Sequence, residues 1–376
     1  IKFKKQPNGY EIENNFDFTN LSEFIFTYKF ELDGEVILEN IIDSVDVKPS
    51  QKTILKIETP SNFDNSKELI LTISAIAKET KGVIEKGHEV AWEQFIVNKP
   101  TAVAISKSNS NISIENTEAV IKVSNENIQA TFNKTTGILV DLSFKNGENI
   151  IKNEQGFTPN FWRAPIDNDF GNDLHKRSRV WRHVSKIRTV ESIKATMQNG
   201  NALVVVKYDL VNEENLKIAE FQMDYTFKGD GAVLIKNTFQ KKQDKLPDLP
   251  RVGLNIQLLN EFENVTWYGK GPFESYFDRK TGVKIGTYSG LIEDFNWAYI
   301  RPQENGNKSD VRWMSLKSKT GKGIKIYGFP TIDFSAHHSI MEDFESLERT
   351  DGRQSEGDLV TNRHTIDVKT RDLTSL

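Results

Sequence analysis

Residues 24–38 read Phe24-Ile25-Phe26-Thr27-Tyr28-Lys29-Phe30-Glu31-Leu32-Asp33-Gly34-Glu35-Val36-Ile37-Leu38. Phe24, Phe26, Tyr28, Phe30 and Leu32 alternate with Ile25, Thr27, Lys29 and Glu31, a period of two that marks a strand with one face buried. Asp33-Gly34 is a strong hairpin turn, after which Glu35 to Leu38 can return. Leu69, Leu71, Ile73, Ala75 and Ala77 repeat the alternation, and Val90, Trp92 and Phe95 fit a closing strand with one irregular step. Strands at short spacing with turns between them indicate a β-sandwich of roughly 100 residues. It is assigned to residues 1–100, and such a domain usually serves as a spacer or support.

Asn98-Lys99-Pro100-Thr101 breaks this pattern, and Lys107-Ser108-Asn109-Ser110-Asn111 has linker composition. A linker is therefore expected over 101–112. The remainder, 113–376, is again rich in strands. Asn133-Lys134-Thr135-Thr136-Gly137 is a hairpin candidate. Phe221, Met223, Tyr225 and Phe227 alternate, Lys228-Gly229-Asp230-Gly231 turns, and Ala232 to Phe239 returns. Only Leu174 to Met197 lacks alternation and is expected to hold a short helix. About 260 residues of antiparallel strands in one block fit a large sandwich. The expected fold class is all-β.

Length and composition agree. A chain of 376 residues is expected to hold two or three domains. Its 37% hydrophobic and 10% aromatic residues suffice for packed cores. The net charge of -4 offers no global field for nucleic acid or an anionic membrane, so neither is expected as a partner. No apolar run approaches the ~20 residues that span a bilayer. The absence of cysteine removes disulfides and thiolate chemistry but selects no compartment. Ile1-Lys2-Phe3-Lys4-Lys5 lacks an apolar signal region, and without an initiator Met the chain is expected to be a piece of a longer protein.

The chemistry-bearing stretch is Phe161-Trp162-Arg163-Ala164-Pro165-Ile166-Asp167-Asn168-Asp169-Phe170-Gly171-Asn172-Asp173. Asp, Asn and Gly favour turns, so a polar loop is expected over 166–174, pinned at its start by buried aromatics and Pro165. In extended chain Asp167 and Asp169 share a face and repel unless paired. Arg163 carries a planar fork suited to either carboxylate.

This run resembles the Arg-Ala-Pro-x-Asp-Asn-Asp-x-Gly signature that opens the last large domain of family 2 β-galactosidases. Gly269-Lys270-Gly271-Pro272-Phe273-Glu274-Ser275-Tyr276-Phe277-Asp278-Arg279 and Arg301-Pro302-Gln303-Glu304-Asn305-Gly306 resemble two further stretches of that family. Gly87 to Phe95 resembles the end of its preceding immunoglobulin-like domain. The resemblance spans nearly the whole chain in the family's order. It implies an immunoglobulin-like sandwich followed by a large antiparallel super-sandwich of the galactose-mutarotase type, truncated at its C-terminus. It further implies a parent that hydrolyses terminal β-D-galactosides with retention.

Retention requires two carboxyl groups about 5–5.5 Å apart. The resemblance places both catalytic glutamates in an upstream TIM barrel, and no (β/α) pattern occurs here. No catalytic residue is therefore assigned to this chain. The barrel of the same parent chain is the expected partner, the galactoside is met through the parent, and a homo-oligomer is left open. Magnesium and sodium, which the family commonly uses, are implied at sites outside this region, and no cofactor or metal is assigned within it.

Residues Arg163, Asp167, Asn168, Asp169, Gly171, Asn172 and Asp173 are the candidate substrate-mouth loop, with motion from Gly171 onward implied by the resemblance. The competing reading is a structural turn. Trp162, Trp267 and Trp313 read as core. His337-His338 face opposite ways on a strand and make a poor metal pair. Glu274, Tyr276, Asp278 and Arg279 read as a buried hydrogen-bonded turn. Lys176, Arg177, Arg179, Arg182, Lys186 and Arg188 read as a solvated or interdomain face. Outside enzymology, a carbohydrate-binding or assembly module sharing the fold is the alternative.

Overall fold

The computed structural model describes residues 1–42, 44–100, 111–145, 147–345 and, for its backbone alone, the strand Thr365–Thr370. The chain is all-β, with three short α-helices among the described residues. No described helix is long and apolar enough to cross a membrane. The chain divides into two compact units: Ile1–Ile105 with Lys284–Thr287, and Ser106–Val283 with Tyr288–Leu376. The expected linker falls mainly on 101–110, outside the described residues.

In the first unit Glu35–Ile42, Phe24–Leu32, Leu69–Ala77 and Glu89–Asn98 form one antiparallel sheet in that order. Lys2–Gln6, Gly9–Glu13 and Lys52–Leu55 form the second. Phe3, Ile12, Phe26, Phe30, Leu71 and Ile73 fill the core between them, and the rings of Phe3 and Phe26 meet edge-on at 6.3 Å. Glu31 keeps the face of Lys29, opposite Phe30, since the pairing with Leu69–Ala77 runs without a shift, yet it is only 6% exposed. It pairs with Lys29 at 3.0 Å and accepts from Thr72 Oγ1 at 3.3 Å. The buried charge is tolerated because it is paired.

In the second unit Leu139–Phe144, Ile128–Asn133, Val120–Ser124 and Ser113–Asn116 form one sheet. Thr189–Gln198, Asn201–Val211, Lys217–Phe227 and Val233–Lys241 form another. Phe132 of the first lies edge-on to Tyr225 (4.9 Å) and Phe227 (6.0 Å) of the second. The expected hairpin closes at Gly137, with φ +69°, where a Cβ would come within 2.6 Å of the Tyr208 hydroxyl. Only glycine satisfies both the left-handed backbone and that close approach. The largest sheet runs Thr158–Asn160, Gly253–Gln257, Thr365–Thr370, Gly323–His337, Lys308–Lys317, Asn264–Gly271 and Lys284–Leu291.

The region without alternation, Leu174 to Met197, holds helices α2 (Leu174–Arg177) and α3 (Arg179–Lys186) and then the strand Thr189–Gln198; helix α1 (Asp167–Gly171) lies just before it, where a polar loop is expected. That strand is at a sheet edge, and its residues are exposed or half-buried. An edge strand without a fully buried face leaves no apolar period to read.

Candidate functional site

The strand Thr158–Asn160 delivers the chain into the core of the second unit. Phe161 is buried against Phe221 at 5.3 Å and Phe239 at 5.6 Å, and its N–H donates to Ser185 Oγ at 2.8 Å. Trp162 is 1% exposed. Its indole N–H donates to Glu345 Oε1 at 2.7 Å, and Glu345 also accepts from Arg182 Nε at 3.0 and 2.9 Å. The hydrogen bonds that Arg182 donates to Glu345 hold the Arg182 pKa above its usual value. The expected aromatic pin therefore exists, and a charged group found only near residue 345 satisfies its one polar atom.

From Ile166 onward the structure departs from the expected loop. Residues Asp167–Gly171 are helix α1. Asp169 is 3% exposed, its Oδ2 accepts the Ile166 N–H at 2.9 Å, and its two oxygens meet the fork of Arg163, with Nη2 to Oδ1 at 2.8 Å. A carboxylate at the third helical position that bonds back to the cap N–H starts a helix. In a helix, residues two apart do not face each other. Asp167 and Asp169 therefore separate: Asp169 turns in to Arg163, and Asp167 turns out to Arg301, with Nη1 to Oδ1 at 2.8 Å. Each carboxylate has its own guanidinium.

The other candidates lie on the surface. Asn168, Gly171, Asn172 and Asp173 are exposed. Asn172 Oδ1 accepts from Leu174 N at 3.1 Å and from Arg177 Nη1 at 2.9 Å. Gly171, from which the resemblance implies motion, is helical and has no positive φ; Asp173 is the left-handed residue, at φ +57°. Aspartate tolerates that conformation by local hydrogen bonding. The Asp173 pKa is held below its usual value by the hydrogen bond from Lys176, 2.9 Å away. Of the seven candidates, Arg163 and Asp169 form the base, and Asp167, Asn168, Asn172 and Asp173 offer polar atoms to solvent. A cavity of about 440 Å³ opens beside α1, with Pro165, Phe170 and His175 in its lining.

The two further motifs meet each other. Glu274 accepts from the Tyr299 hydroxyl at 2.5 Å and from Gly306 N at 2.9 Å, and it pairs with Arg279. Tyr276 and Arg279 exchange backbone bonds at 3.1 and 3.0 Å. The hydrogen-bonded turn is present, but Asp278 and Arg279 are exposed, so it is buried only in part. Glu304 and Arg251 form an ion pair at 2.7 Å, with side chains 9% and 5% exposed. Lys308 is buried, with its ammonium 4.7 Å from the Phe295 ring centre and 5.5 Å from that of Trp267. Burial lowers its pKa to about 8.

Trp162, Trp181 and Trp267 are core, but Trp313 is only half-buried, with the Lys325 ammonium 3.7 Å from its ring centre. His337 Nε2 contacts Asn305 O at 3.1 Å and His338 Nε2 contacts Glu263 at 3.2 Å, so the two rings serve different partners. Among the described residues no three His, Asp or Glu side chains gather to hold a metal ion. The basic run is paired within its own unit: Arg179 with Glu213, Arg182 with Glu345, Lys186 with Glu342. Sequence reasoning missed Arg301 and Glu345 as partners of the 161–173 segment, because both lie far along the chain.

Residues 124–372 match the family described as β-galactosidase small chain. The chain belongs to that family. Residues 10–98 match β-galactosidase domain 4. The β-galactosidase of Priestia megaterium is 32% identical over 87% of this chain and 31% of its own length. That of Halalkalibacterium halodurans is 28% identical over 87% of this chain and 32% of its own. That of Streptococcus thermophilus is 25% identical over 92% and 33%. The chain thus spans about a third of the length of the curated relatives it matches.

Proposed function

We propose that this chain is the part of a β-galactosidase that supports the catalytic domain and borders its active site. The parent hydrolyses terminal β-D-galactosides with retention of configuration. The carboxylate pair that retention requires belongs to a TIM barrel elsewhere in the parent, which is the chain's partner. Magnesium and sodium, where the parent uses them, bind in its other domains. The observation that carries this reading is the family match over residues 124–372, with the relatives named β-galactosidase. In this reading the exposed polar atoms of Asp167, Asn168, Asn172 and Asp173 face the sugar, and Arg163 with Asp169 fixes the base beneath them.

The carboxylates of this chain that resemble catalytic groups are engaged otherwise: Asp169 by Arg163 and Ile166, Glu274 by Arg279, Tyr299 and Gly306. The test is turnover of an aryl β-galactoside by the full-length parent and by this chain alone, with the product anomer read by NMR. The parent should release the β-anomer first, and the chain alone should be inactive. Turnover by the chain, abolished by Glu274→Gln, would move the chemistry into this region and end the reading.

A further inference from the structure

We propose that Arg301 is a positioning residue: its guanidinium clamps α1 at two points and so sets where the sugar-bordering segment stands. The proposal rests on the role given to residues 163–173 above. Arg301 Nη1 lies 2.8 Å from Asp167 Oδ1, and its Cζ lies 5.0 Å from the centre of the Phe170 ring. Asp167 and Phe170 are three apart and therefore neighbours on a helix surface. A guanidinium can serve both, because it bonds a carboxylate along its edge while its face rests on a ring.

The clamp is mounted on a fixed support. Three residues on, Glu304 is held by Arg251 at 2.7 Å, Asn305 Oδ1 accepts from Trp297 N at 3.0 Å, and Gly306 N donates to Glu274 at 2.9 Å. The clamped side is the one that can yield. Arg163 holds the other carboxylate of α1 through Asp169, which is 3% exposed. The Asp167 side chain is 68% exposed and that of Arg301 21%. Water can replace the outer grip but reaches the inner one poorly. When Arg301 lets go, the cavity of about 440 Å³ beside Pro165 and Phe170 gives α1 room to shift while its base stays held. Arg301 is thus the releasable half of a two-guanidinium mount.

The experiment has two arms using the same variants: Arg301→Gln, Arg301→Lys and Asp167→Asn. In this chain, hydrogen exchange is followed at 167–173, with the strand Asn201–Val211 as control. In the full-length parent, kcat and KM are measured on an aryl β-galactoside. Arg301→Gln, which removes both contacts, should speed exchange at 167–173 by about 3- to 30-fold, and Asp167→Asn, which removes the ion pair alone, by about 1.5- to 5-fold, each leaving the control unchanged. Arg301→Lys, which keeps the charge and loses the planar fork, should recover part of the protection. In the parent, kcat and KM should move together, as for a segment that closes over substrate. Unchanged exchange at 167–173 in both Arg301→Gln and Asp167→Asn would overturn the clamp and leave the β-galactosidase reading standing. Faster exchange there with unchanged kcat and KM would overturn the border role of the segment, and the positioning role with it. Faster exchange in the control strand as well would reduce Arg301 to general structural support.

Discussion

Replacing Gly171 by alanine distinguishes a helical glycine from a hinge glycine. Gly171 ends α1 without a positive φ, and a Cβ built there meets no atom within 4 Å. The added methyl therefore meets no clash and demands no new backbone angle. What remains is the unfolded-state effect: alanine has fewer conformations to lose, which stabilises by about 0.4–1 kcal/mol at a compatible site. At 1.4 kcal/mol per tenfold, α1 should become about 2- to 5-fold more persistent relative to its open form. Two assays read this. Hydrogen exchange at 167–173 should slow by that factor, and the melting temperature should rise by about 1–4 °C, using the usual 2–4 °C per kcal/mol for large domains. In the full-length parent the same shift should alter kcat and KM together, because a more persistent α1 changes both entry and release. A lowered melting temperature with faster exchange would refute the reasoning: glycine would then be required at 171. Slower exchange with unchanged kinetics would retain the helix argument and remove the link between α1 and the sugar site.

Two other perturbations test the base and the second motif cluster. Asp169→Ala removes the partner of Arg163 and the acceptor for Ile166 N. It should cost ~2–4 kcal/mol, somewhat less than a fully buried pair because Arg163 reaches water; a loss under ~1 kcal/mol by urea titration would show that the base does not depend on this pair. Lys308, with its pKa lowered to about 8 by burial, makes stability depend on pH. Below about 8 the ammonium is charged in both states, and the folded state bears the desolvation cost. Between about 8 and ~10.4, the ordinary lysine value, the folded state has released its proton while the unfolded chain still holds one, so stability rises with pH. The rise should be ~1–3 kcal/mol, reduced by the attraction of the ammonium to Phe295 and Trp267. Lys308→Met should abolish it, and an equal rise in that variant would assign it to another group.

What was legible in the sequence followed burial. Strands with one face against a core, such as Phe24–Leu32 and Lys217–Phe227, write that face into every second residue. Thr189–Gln198 is half-solvated on an edge and writes nothing comparable. The burial of Glu31 was equally hidden, because its partner Thr72 lies on another strand, far along the chain. At the candidate site the aromatic pin was visible in Phe161-Trp162, and the fork of Arg163 pointed to a carboxylate. The choice between Asp167 and Asp169 was not visible, since it depends on whether the segment is extended or helical.

That last choice shows how the site is specified. The composition of 166–173 favours a turn, and a helix of five residues has too few internal hydrogen bonds to persist by itself. The helical state is retained because it alone directs Asp169 inward to Arg163 and Asp167 outward to Arg301. Two guanidiniums far apart in sequence thus select a conformation that the local residues would not hold unaided. A segment stabilised in this way has a steep response to its partners. Its order depends on contacts that can be removed one at a time, so α1 can open at Arg301 while Arg163, Phe161 and Trp162 keep its base within the fold.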